Sequence, residues 1–277
     1  MLSIHRGFEL RDTSYKLQVI LLIMTTETTF PLIALDSTES TNLYLSQLSR
    51  HEGDALAPFT TVCAEYQQAG KGQRGNSWES AEGKNLLFSF VTYPTFLEAR
   101  HQFLLSQMVS LAIKEALSCW SDDFSIKWPN DIYWRDKKIC GILIENDLSG
   151  NRIGRCICGI GLNVNQTTFL SDAPNPISLQ QITGREHDRH ALLMEIMKRI
   201  QLYFQGAEVE QYATYSEEIS VRYGRSLFRR RGYYPYEDAN GRFSARLLRV
   251  EPDGRFVLED ESGKEREYLF KEVQYIL

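Results

Sequence analysis

Residues 124–146 carry the pattern that most constrains how this chain can fold. A short apolar segment leads into Lys127-Trp128-Pro129-Asn130-Asp131, and after a polar gap the chain continues as Lys138-Ile139-Cys140-Gly141-Ile142-Leu143-Ile144-Glu145. Proline and asparagine favour a turn, so the segment predicts two strands joined by a tight connection. A glycine inside a strand lets a ligand approach the backbone, and neighbouring lysines supply charge-assisted donors. The segment indicates an anion site, with a surface hairpin carrying solvated lysines as the alternative.

A glycine-rich segment between two predicted strands gives a second candidate site. The strand over 60–68 is followed by Ala69-Gly70-Lys71-Gly72-Gln73-Arg74-Gly75-Asn76-Ser77-Trp78, and the next strand covers 85–91. The glycines match G-x-G-x-x-G, but a dinucleotide fingerprint also needs a following helix and an acidic residue about 20 positions later. Neither follows here. The segment therefore predicts a loop whose amides and cations face a phosphate or carboxylate, or else a flexible basic turn.

Composition limits the remaining classes of function. The 277 residues, 43% hydrophobic and 24% charged, are typical of a globular protein with one large and one small domain. A net charge of −5 disfavours a general nucleic-acid binder. The five cysteines lack structural-zinc spacing and indicate reduced thiols in a cytoplasm. The apolar run at residues 17–24 is shorter than the roughly 20 residues that span a bilayer, so no membrane partner is expected.

The rest of the pattern is typical of a mixed α+β protein. Apolar side chains recur at helical spacing over 98–120, which predicts an amphipathic helix packed on the core. Further helices are predicted over 37–50, 187–206 and 208–219, and further strands over 30–35, 124–128, 132–135, 138–146 and 153–164. After Gly224 a small β-barrel is predicted, with strands over 226–230, 243–251, 256–260 and 267–270.

Four segments together resemble the biotin–protein ligases, the enzymes that attach biotin to carboxylases. They are Ser40-Thr41-Asn42, then Gln67 to Gly75 with Trp78, then Lys127 to Asp131 with Lys138-x-x-Gly141-Ile142-Leu143-Ile144-Glu145, and Gly159-Ile160-Gly161-Leu162-Asn163-Val164-Asn165. They occur in the family's order and spacing, and the resemblance extends from about residue 30 to the C-terminus. It implies a class II synthetase-like mixed sheet with flanking helices, plus a small C-terminal SH3-like β-barrel.

The resemblance also implies how the chain is divided. We expect an N-terminal extension over 1–28, a catalytic biotin- and ATP-binding domain over 29–222, and the SH3-like domain over 223–277. Residues 1–23 are either an extension or precede a natural start at Met24. Many family members carry an additional N-terminal winged-helix domain and double as repressors. The segment before the catalytic domain is short, so a ligase without that DNA-binding function is expected.

The implied reaction joins biotin to a lysine of a biotin carboxyl carrier domain of a biotin-dependent carboxylase. The biotin carboxylate attacks the α-phosphate of ATP, which gives biotinyl-5′-AMP and pyrophosphate, and the lysine amine then displaces AMP. Because the first step brings two anions together, catalysis depends on neutralising charge and positioning the reactants. Mg²⁺ is expected to bridge the polyphosphate and to be held by phosphates and water, so no protein ligands are assigned.

Site residues are carried over from the family one by one. Biotin contacts are implied for Ser40, Thr41, Asn42, Gln67, Gly70, Lys71, Gly72, Gln73, Lys138 and Gly141. Nucleotide contacts are implied for Arg74, Trp78, Lys127, Asn130, Asp131, Lys138 and Asn163. Catalytic roles are implied for Lys138, which would contact both the biotin carboxylate and the α-phosphate, and for Lys71, Arg74 and Asp131. A further hypothesis is that Asp131 orients or deprotonates the acceptor amine. Trp78 and Trp128 either wall the site or pack in the core.

Gln73 departs from the family, which often has arginine at this position, associated with retention of the adenylate. Glutamine donates hydrogen bonds but carries no charge. Biotinyl-AMP is therefore expected to be held less tightly unless Lys71 or Arg74 compensates. Labelling of a non-substrate protein, compared between the natural chain and Gln73→Arg, tests this expectation, and equal labelling contradicts it.

The sequence leaves two alternative functions open. Lipoate–protein ligases share the catalytic fold, but their Arg-Arg-x-x-Gly-Gly-Gly type of loop is missing here. A non-catalytic biotin-binding regulator is the second, and the presence of Lys138 argues against it. The patch of Arg229, Arg230 and Arg231 with its following tyrosines is a solvated strand end, a contact for ATP or an acidic acceptor, or a nucleic-acid surface. The protein is expected to be a monomer or a homodimer.

Overall fold

The computed structural model describes residues 19–24, 29–52, 56–70, 72, 77–171, 173, 175–209 and 212–277. Within them the chain forms an eight-stranded mixed sheet and then a five-stranded antiparallel sheet, the C-terminal sheet. Lys71, Gln73 and Arg74 of the predicted glycine-rich loop lie outside the described residues. No helix in the described part of the chain is long and apolar enough to cross a membrane.

The larger sheet holds the described residues of all four motif segments on or beside its strands. In spatial order its strands run β1-β2-β3-β4-β8-β7-β6-β5, and only β2 and β3 are parallel neighbours. The strands are β1 Val19–Met24, β2 Thr29–Thr38, β3 Thr61–Gln67, β4 Leu86–Thr92, β5 Phe124–Lys127, β6 Asp131–Trp134, β7 Lys137–Ser149 and β8 Arg152–Leu162. Strand β4 is buried along its whole length, as expected of a central strand covered on both faces.

Helices pack against this sheet and bury its apolar side chains. They are α1 Thr41–Glu52, α2 Phe103–Leu117, α3 Leu179–Thr183, α4 Arg189–Val209 and α5 Tyr212–Arg225. Helix α2 is apolar nearly all round and lies between the sheet and helices α4 and α5. Helix α1 packs on β3, β4 and β8. Its start places Asn42 against the central strands β4, β8 and β7, where it meets Ser89, Gly159 and Glu145.

The helix predicted over 98–120 is shorter than expected. A 3₁₀ turn at Ala99–His101 precedes α2, which begins at Phe103 and ends at Leu117. The backbone N–H of Ala99 donates to Asn151 O at 2.9 Å, and Glu98 pairs with Arg152 across a short bridge. The connection between β7 and β8 therefore holds Glu98 extended, and this pairing outweighs the local helical preference at the predicted start.

The C-terminal sheet has the strand order β12-β11-β10-β9-β13 and is antiparallel throughout. Its strands are β9 Tyr234–Asp238, β10 Gly241–Val250, β11 Phe256–Asp260, β12 Glu265–Tyr268 and β13 Gln274–Tyr275. No pairing between the outer strands closes this sheet in the described chain, so the SH3-like barrel stays a prediction. The predicted strand over 226–230 is wrong: Leu227 makes only an isolated bridge to Ile126, and Arg229 has φ +54°.

The predicted boundary at 28/29 separates two paired strands, and the predicted boundary at 222/223 falls within helix α5. Strand β1 pairs with β2, from Val19 opposite Ala34 to Met24 opposite Thr29, within the segment expected to be an extension. Residues 1–18 lie outside the described residues. Helix α5 continues to Arg225, past the expected boundary at 222. The division into 1–28, 29–222 and 223–277 remains a prediction.

Candidate active site

A cavity of about 570 Å³ lies where the larger sheet meets the C-terminal sheet. It brings together residues that lie far apart in sequence, from all four motif segments and from the stretch just before the C-terminus. The predicted site residues that line it are Ser40, Thr41, Asn42, Gln67, Gly72, Trp78, Lys127, Asn130, Asp131, Lys138 and Gly141. From the fourth motif the cavity receives Gly159, Ile160 and Gly161.

One end of the cavity is an uncharged hydrogen-bond network. The backbone N–H of Thr41 donates to Gln67 Oε1 at 2.8 Å, and the Thr41 hydroxyl donates to the same oxygen at 3.1 Å. These two bonds occupy the oxygen of Gln67 and leave its amide N–H groups to donate elsewhere. Ser89 Oγ lies 2.7 Å from Thr41 Oγ1 and 2.6 Å from Asn42 Oδ1, so it ties these two neighbours together.

Asn42 links this network to strand β7 behind the cavity lining. Its Nδ2 donates to Glu145 Oε2 on β7 at 2.8 Å, and the side chain is only 4% exposed. A Cβ atom on Gly159 would lie 2.0 Å from Asn42 Oδ1, a distance that no real contact tolerates. Glycine at position 159 is therefore required for Asn42 to reach its partners.

The indole of Trp78 lies flat on two glycines that face each other across β7 and β8. Gly141 and Gly161 are paired in register. A Cβ atom on Gly141 would lie 2.9 Å from Trp78 Cζ3, and one on Gly161 would lie 2.5 Å from Cε2. Trp78 Nε1 is buried and has no partner among the described residues. The two glycines provide the space that the indole occupies, and the ring walls the cavity.

Lys138 and Asp131 form the charged centre of the cavity. Lys138 Nζ lies 2.7 Å from Asp131 Oδ2, and the two side chains are 31% and 26% exposed. The register between β6 and β7 shifts here, because Ile132 pairs with Cys140 while Tyr133 pairs with Lys138. A bulge of this kind bends the strand and redirects a side chain. The backbone on either side is held as well, since the N–H of Lys138 donates to Asn175 O at 2.8 Å.

A second lysine lies beside this ion pair, across the turn from Asp131. Lys127 Nζ donates to the Tyr133 hydroxyl at 3.0 Å and lies 4.8 Å and 5.0 Å from the ring centroids of Tyr133 and Tyr275. Burial lowers the pKa of Lys127 to about 8, although the nearby Asp131 carboxylate raises it. At neutral pH the amine is still mostly protonated, so the cavity holds two neighbouring cations.

The turn that separates these residues is anchored from the helices below it. Pro129 O accepts hydrogen bonds from Tyr223 OH at 2.7 Å and from Ser106 Oγ at 3.1 Å. Asn130 Nδ2 donates at 2.6 Å to a main-chain carbonyl of β7, that of Ile142. The Asn130 side chain is therefore committed to holding the turn as well as lining the cavity. These hydrogen bonds hold the turn in place and thereby fix the position of Asp131, the first residue of β6.

Trp128 forms the wall between the cavity and the C-terminal sheet. Its Nε1 donates to Gly254 O at 3.0 Å, and its ring stacks on Phe256 with centroids 4.8 Å apart. The C-terminal sheet and its connections also line the cavity, with Phe270, Lys271, Val273, Gln274 and Tyr275. These residues match none of the four motifs, and the aromatic side chains of Phe270 and Tyr275 are the only signal for them in the sequence.

Some predicted site residues are placed elsewhere. Asn163 is 3% exposed, donates to Ile177 O at 3.2 Å and does not line the cavity; its Oδ1 has no partner in the described chain. Gly70 also lies outside the lining, where its carbonyl accepts from Trp78 N at 2.8 Å and closes the two ends of the glycine-rich loop. Arg229 donates to Ile276 O at 2.8 Å and is tied into the C-terminal sheet, while Arg230 and Arg231 are exposed. The predicted ligand contacts of Asn163 and Gly70 stay predictions.

The acidic side chains of the cavity do not resemble a metal site. Across the described ranges no three His, Cys, Asp or Glu side chains cluster so as to hold a metal ion. Asp131 is the only carboxylate among the described residues that line the cavity, and it pairs with Lys138. The arrangement can bind an anion next to an uncharged, hydrogen-bonding ligand.

Comparison with known proteins identifies the family. Residues 34–163 match the model of the biotin/lipoate A/B protein ligase family. The biotin--[acetyl-CoA-carboxylase] ligase of Paracoccus denitrificans is 32% identical over 166 residues, which are 57% of this chain and 67% of that protein. This chain belongs to the biotin–protein ligases. The family resemblance that its four motifs indicate is thereby confirmed.

Two further biotin–protein ligases match over most of the chain. The bifunctional ligase/repressor BirA of Bacillus subtilis is 29% identical over 245 residues, covering 84% of this chain and 70% of that protein. The structure of the biotin protein ligase from Aquifex aeolicus in complex with biotin and ATP aligns with a TM-score of 0.70 and 28% identity, covering 88% of this chain and 99% of that one. The mixed sheet with flanking helices is the biotin–protein ligase fold.

Proposed function

We propose that this protein uses ATP and Mg²⁺ to attach biotin to a specific lysine of a biotin carboxyl carrier domain, through biotinyl-5′-AMP. The observation that carries the proposal is one cavity in which an uncharged hydrogen-bond network lies beside the ion pair of Lys138 and Asp131. Biotin has the same division, with a neutral ureido ring at one end and a carboxylate at the other. Family membership supports the same reaction.

The neutral end of the cavity suits the ureido ring. Such a ring needs a few well-placed donors and acceptors within an otherwise apolar wall. Ser40, Thr41 and the free N–H groups of Gln67 are the proposed polar contacts. The indole of Trp78 and the strand β7 are the proposed walls for the thiophane and the valeryl tail. Gly141 lets the indole lie close to the backbone beside Lys138, since a Cβ atom there would be 2.9 Å from Trp78 Cζ3 and 3.4 Å from Lys138 Nζ.

The charged end suits the adenylation step. One oxygen of the biotin carboxylate attacks the α-phosphorus of ATP, and the bond from that phosphorus to the pyrophosphate oxygen breaks. No proton is transferred, so the protein needs cations in place rather than an acid or a base. Lys138 is proposed to contact the carboxylate and the α-phosphate, with Lys127 beside it. Mg²⁺ would carry charge on the polyphosphate and needs no protein cluster of its own.

Asp131 is proposed to serve the second step, in which the acceptor lysine attacks the mixed anhydride. The free amine ordinarily has a pKa of about 10.4, so it must lose a proton before attack. In Asp131→Ala, transfer from preformed biotinyl-AMP should fall by about 100-fold or more. Single-turnover transfer to the carrier domain measures this, with Asp136→Ala on the exposed turn of the same hairpin as control. Full transfer in Asp131→Ala would exclude the role.

A transfer assay tests the function as a whole. Purified protein, ATP, Mg²⁺ and biotin are incubated with a biotin carboxyl carrier domain, and the mass of the acceptor is measured. Lipoate with a lipoyl domain is run in parallel. A mass increase of one biotin is the expected result. An increase with lipoate alone would place the protein among the lipoate ligases, and binding of biotin without transfer would favour a regulator.

The proposal extends to the cellular location, the partner and the oligomeric state of the protein. A cytoplasmic location is supported by cysteines that are all free in the described chain. We propose that the partner is a protein acceptor and that the ligase does not bind DNA. The net charge of −5 and the hydrogen bond from the Arg229 guanidinium to Ile276 O support this. We propose that the C-terminal sheet corresponds to the SH3-like domain of the family. We propose that the protein is a monomer or a homodimer.

A further inference from the structure

Lys127 is held in the cavity mainly by aromatic rings. Its amine lies 4.8 Å from the ring centroid of Tyr133 on β6 and 5.0 Å from that of Tyr275 on β13, and it donates to the Tyr133 hydroxyl at 3.0 Å. One ring comes from the larger sheet and the other from the C-terminal sheet. A cation close to an aromatic face is attracted by the ring quadrupole, most strongly where water is excluded.

The neighbouring charges leave Lys127 incompletely compensated. Asp131 faces Lys127 in the register of β5 and β6, but its carboxylate lies 2.7 Å from Lys138 Nζ. Lys138 and Arg229 are the other charged groups that act on Lys127, and both disfavour its protonation. Aromatic rings and a hydroxyl hold a cation without supplying a negative charge. An anion that enters the cavity would supply it.

The C-terminal sheet is attached to the same turn at a second point. Trp128, the residue after Lys127, donates from Nε1 to Gly254 O at 3.0 Å and stacks on Phe256. The ring of Phe256 in turn lies 5.8 Å from that of Tyr275, so these contacts connect Trp128 to Tyr275 through Phe256. The hydroxyl of Tyr275 is buried and has no partner among the described residues, so the ring rather than the hydroxyl makes the contact.

We propose that Tyr275 is a positioning residue for ATP, which acts by holding the Lys127 amine in place for the phosphates. The C-terminal sheet then takes part in adenylation through this ring, and does more than cover the cavity. The inference rests on the proposed ligase function and adds to it a residue that matches none of the four motifs. Tyr275 itself need not contact the nucleotide.

Tyr275→Leu tests the inference by removing the ring and keeping an apolar side chain. In biotin-dependent exchange of pyrophosphate into ATP, the KM for ATP should rise about tenfold, as expected for a desolvated cation–π contact. The KM for biotin should change less than twofold, because Lys127 lies away from the ureido end. Tyr275→Phe, which keeps the ring, should restore the KM for ATP. An unchanged KM for ATP in Tyr275→Leu would overturn the proposal.

A double-mutant cycle separates a local effect from general loosening of the C-terminal sheet. If Tyr275 acts through Lys127, then Tyr275→Leu should have no further effect on the KM for ATP in a Lys127→Gln background. Additive effects would contradict the inference. Phe243→Leu is the matched control, since Phe243 lies 4.4 Å from the guanidinium of Arg266 in the same sheet but away from the cavity. A wild-type protein without any exchange activity would instead reject the proposed ligase function.

Discussion

Replacement of Lys138 by alanine should lower the rate of biotinyl-AMP formation by about 100- to 1,000-fold, the usual effect of removing one group that stabilises transition-state charge. Lys138 is the cation nearest to Asp131, at 2.7 Å, and is 31% exposed in the cavity. At an intermediate effective dielectric, two unit charges 4 Å apart interact by about 4 kcal/mol. Without the Lys138 cation, bringing the biotin carboxylate and the α-phosphate together should therefore cost much more free energy. Biotin-dependent pyrophosphate exchange measures the rate.

Lys137→Ala is the control for the Lys138 experiment. Lys137 is the preceding residue of β7, carries the same charge and is exposed. Its replacement should leave pyrophosphate exchange unchanged, because alternate side chains of a strand point to opposite faces. Asp131 remains partly solvated when its partner is removed, so Lys138→Ala should still fold. Adenylation at the natural rate in a folded Lys138→Ala protein would remove Lys138 from the mechanism.

Replacement of Trp128 by alanine should have the largest effect on stability. The indole is 5% exposed, stacks on Phe256 and donates to Gly254 O. Truncation of a buried tryptophan typically costs about 3–5 kcal/mol in the free energy of unfolding. The same change removes a wall of the cavity, so biotin transfer should fall too. Urea unfolding followed by circular dichroism measures the first effect.

Trp120→Ala separates the role of Trp128 from that of any tryptophan. Trp120 is partly buried just after α2, where its ring meets His187 edge to face at 5.2 Å. Its replacement should destabilise the protein less and should leave the KM for biotin and ATP unchanged. A Trp128→Ala protein with the same unfolding midpoint as the natural chain would show that the contact with the C-terminal sheet is weak.

The sequence predicts those parts of the site that depend on neighbouring residues along the chain. The segment 124–146 contains both strands and the turn that carries Lys127, Asp131 and Lys138, so its residue types alone indicate paired strands with charges beside the turn. The predicted strands of this segment are confirmed as β5, β6 and β7. The mixed sheet with flanking helices, which the family resemblance implies, is confirmed as well.

The parts that the sequence does not predict depend on contacts between distant segments. Tyr275 reaches Lys127 only because two sheets pack together, and no pattern near either residue signals the pairing. Strand β9 was not predicted, since Pro235 interrupts its alternation, yet it lies next to the outer strand β13 in the C-terminal sheet. In the sequence Ser89 is a single polar residue within an apolar run, whereas in the structure its hydroxyl forms hydrogen bonds with both Thr41 and Asn42. In each case tertiary packing gives the residue a role that its neighbours do not indicate.

The indole that rests on Gly141 and Gly161 limits the depth of the cavity at this point, so a substitution at Trp78 would change that depth. Because bare backbone lies beneath the ring, a smaller side chain at Trp78 would leave a slot with no other atoms to fill it, whereas a methyl group on Gly161 would collide with the ring. The depth of the cavity at this point is thus set by one replaceable side chain and not by the course of the strands. Enlarged biotin analogues could be matched to variants of position 78 without any change to the sheet that supports the reaction.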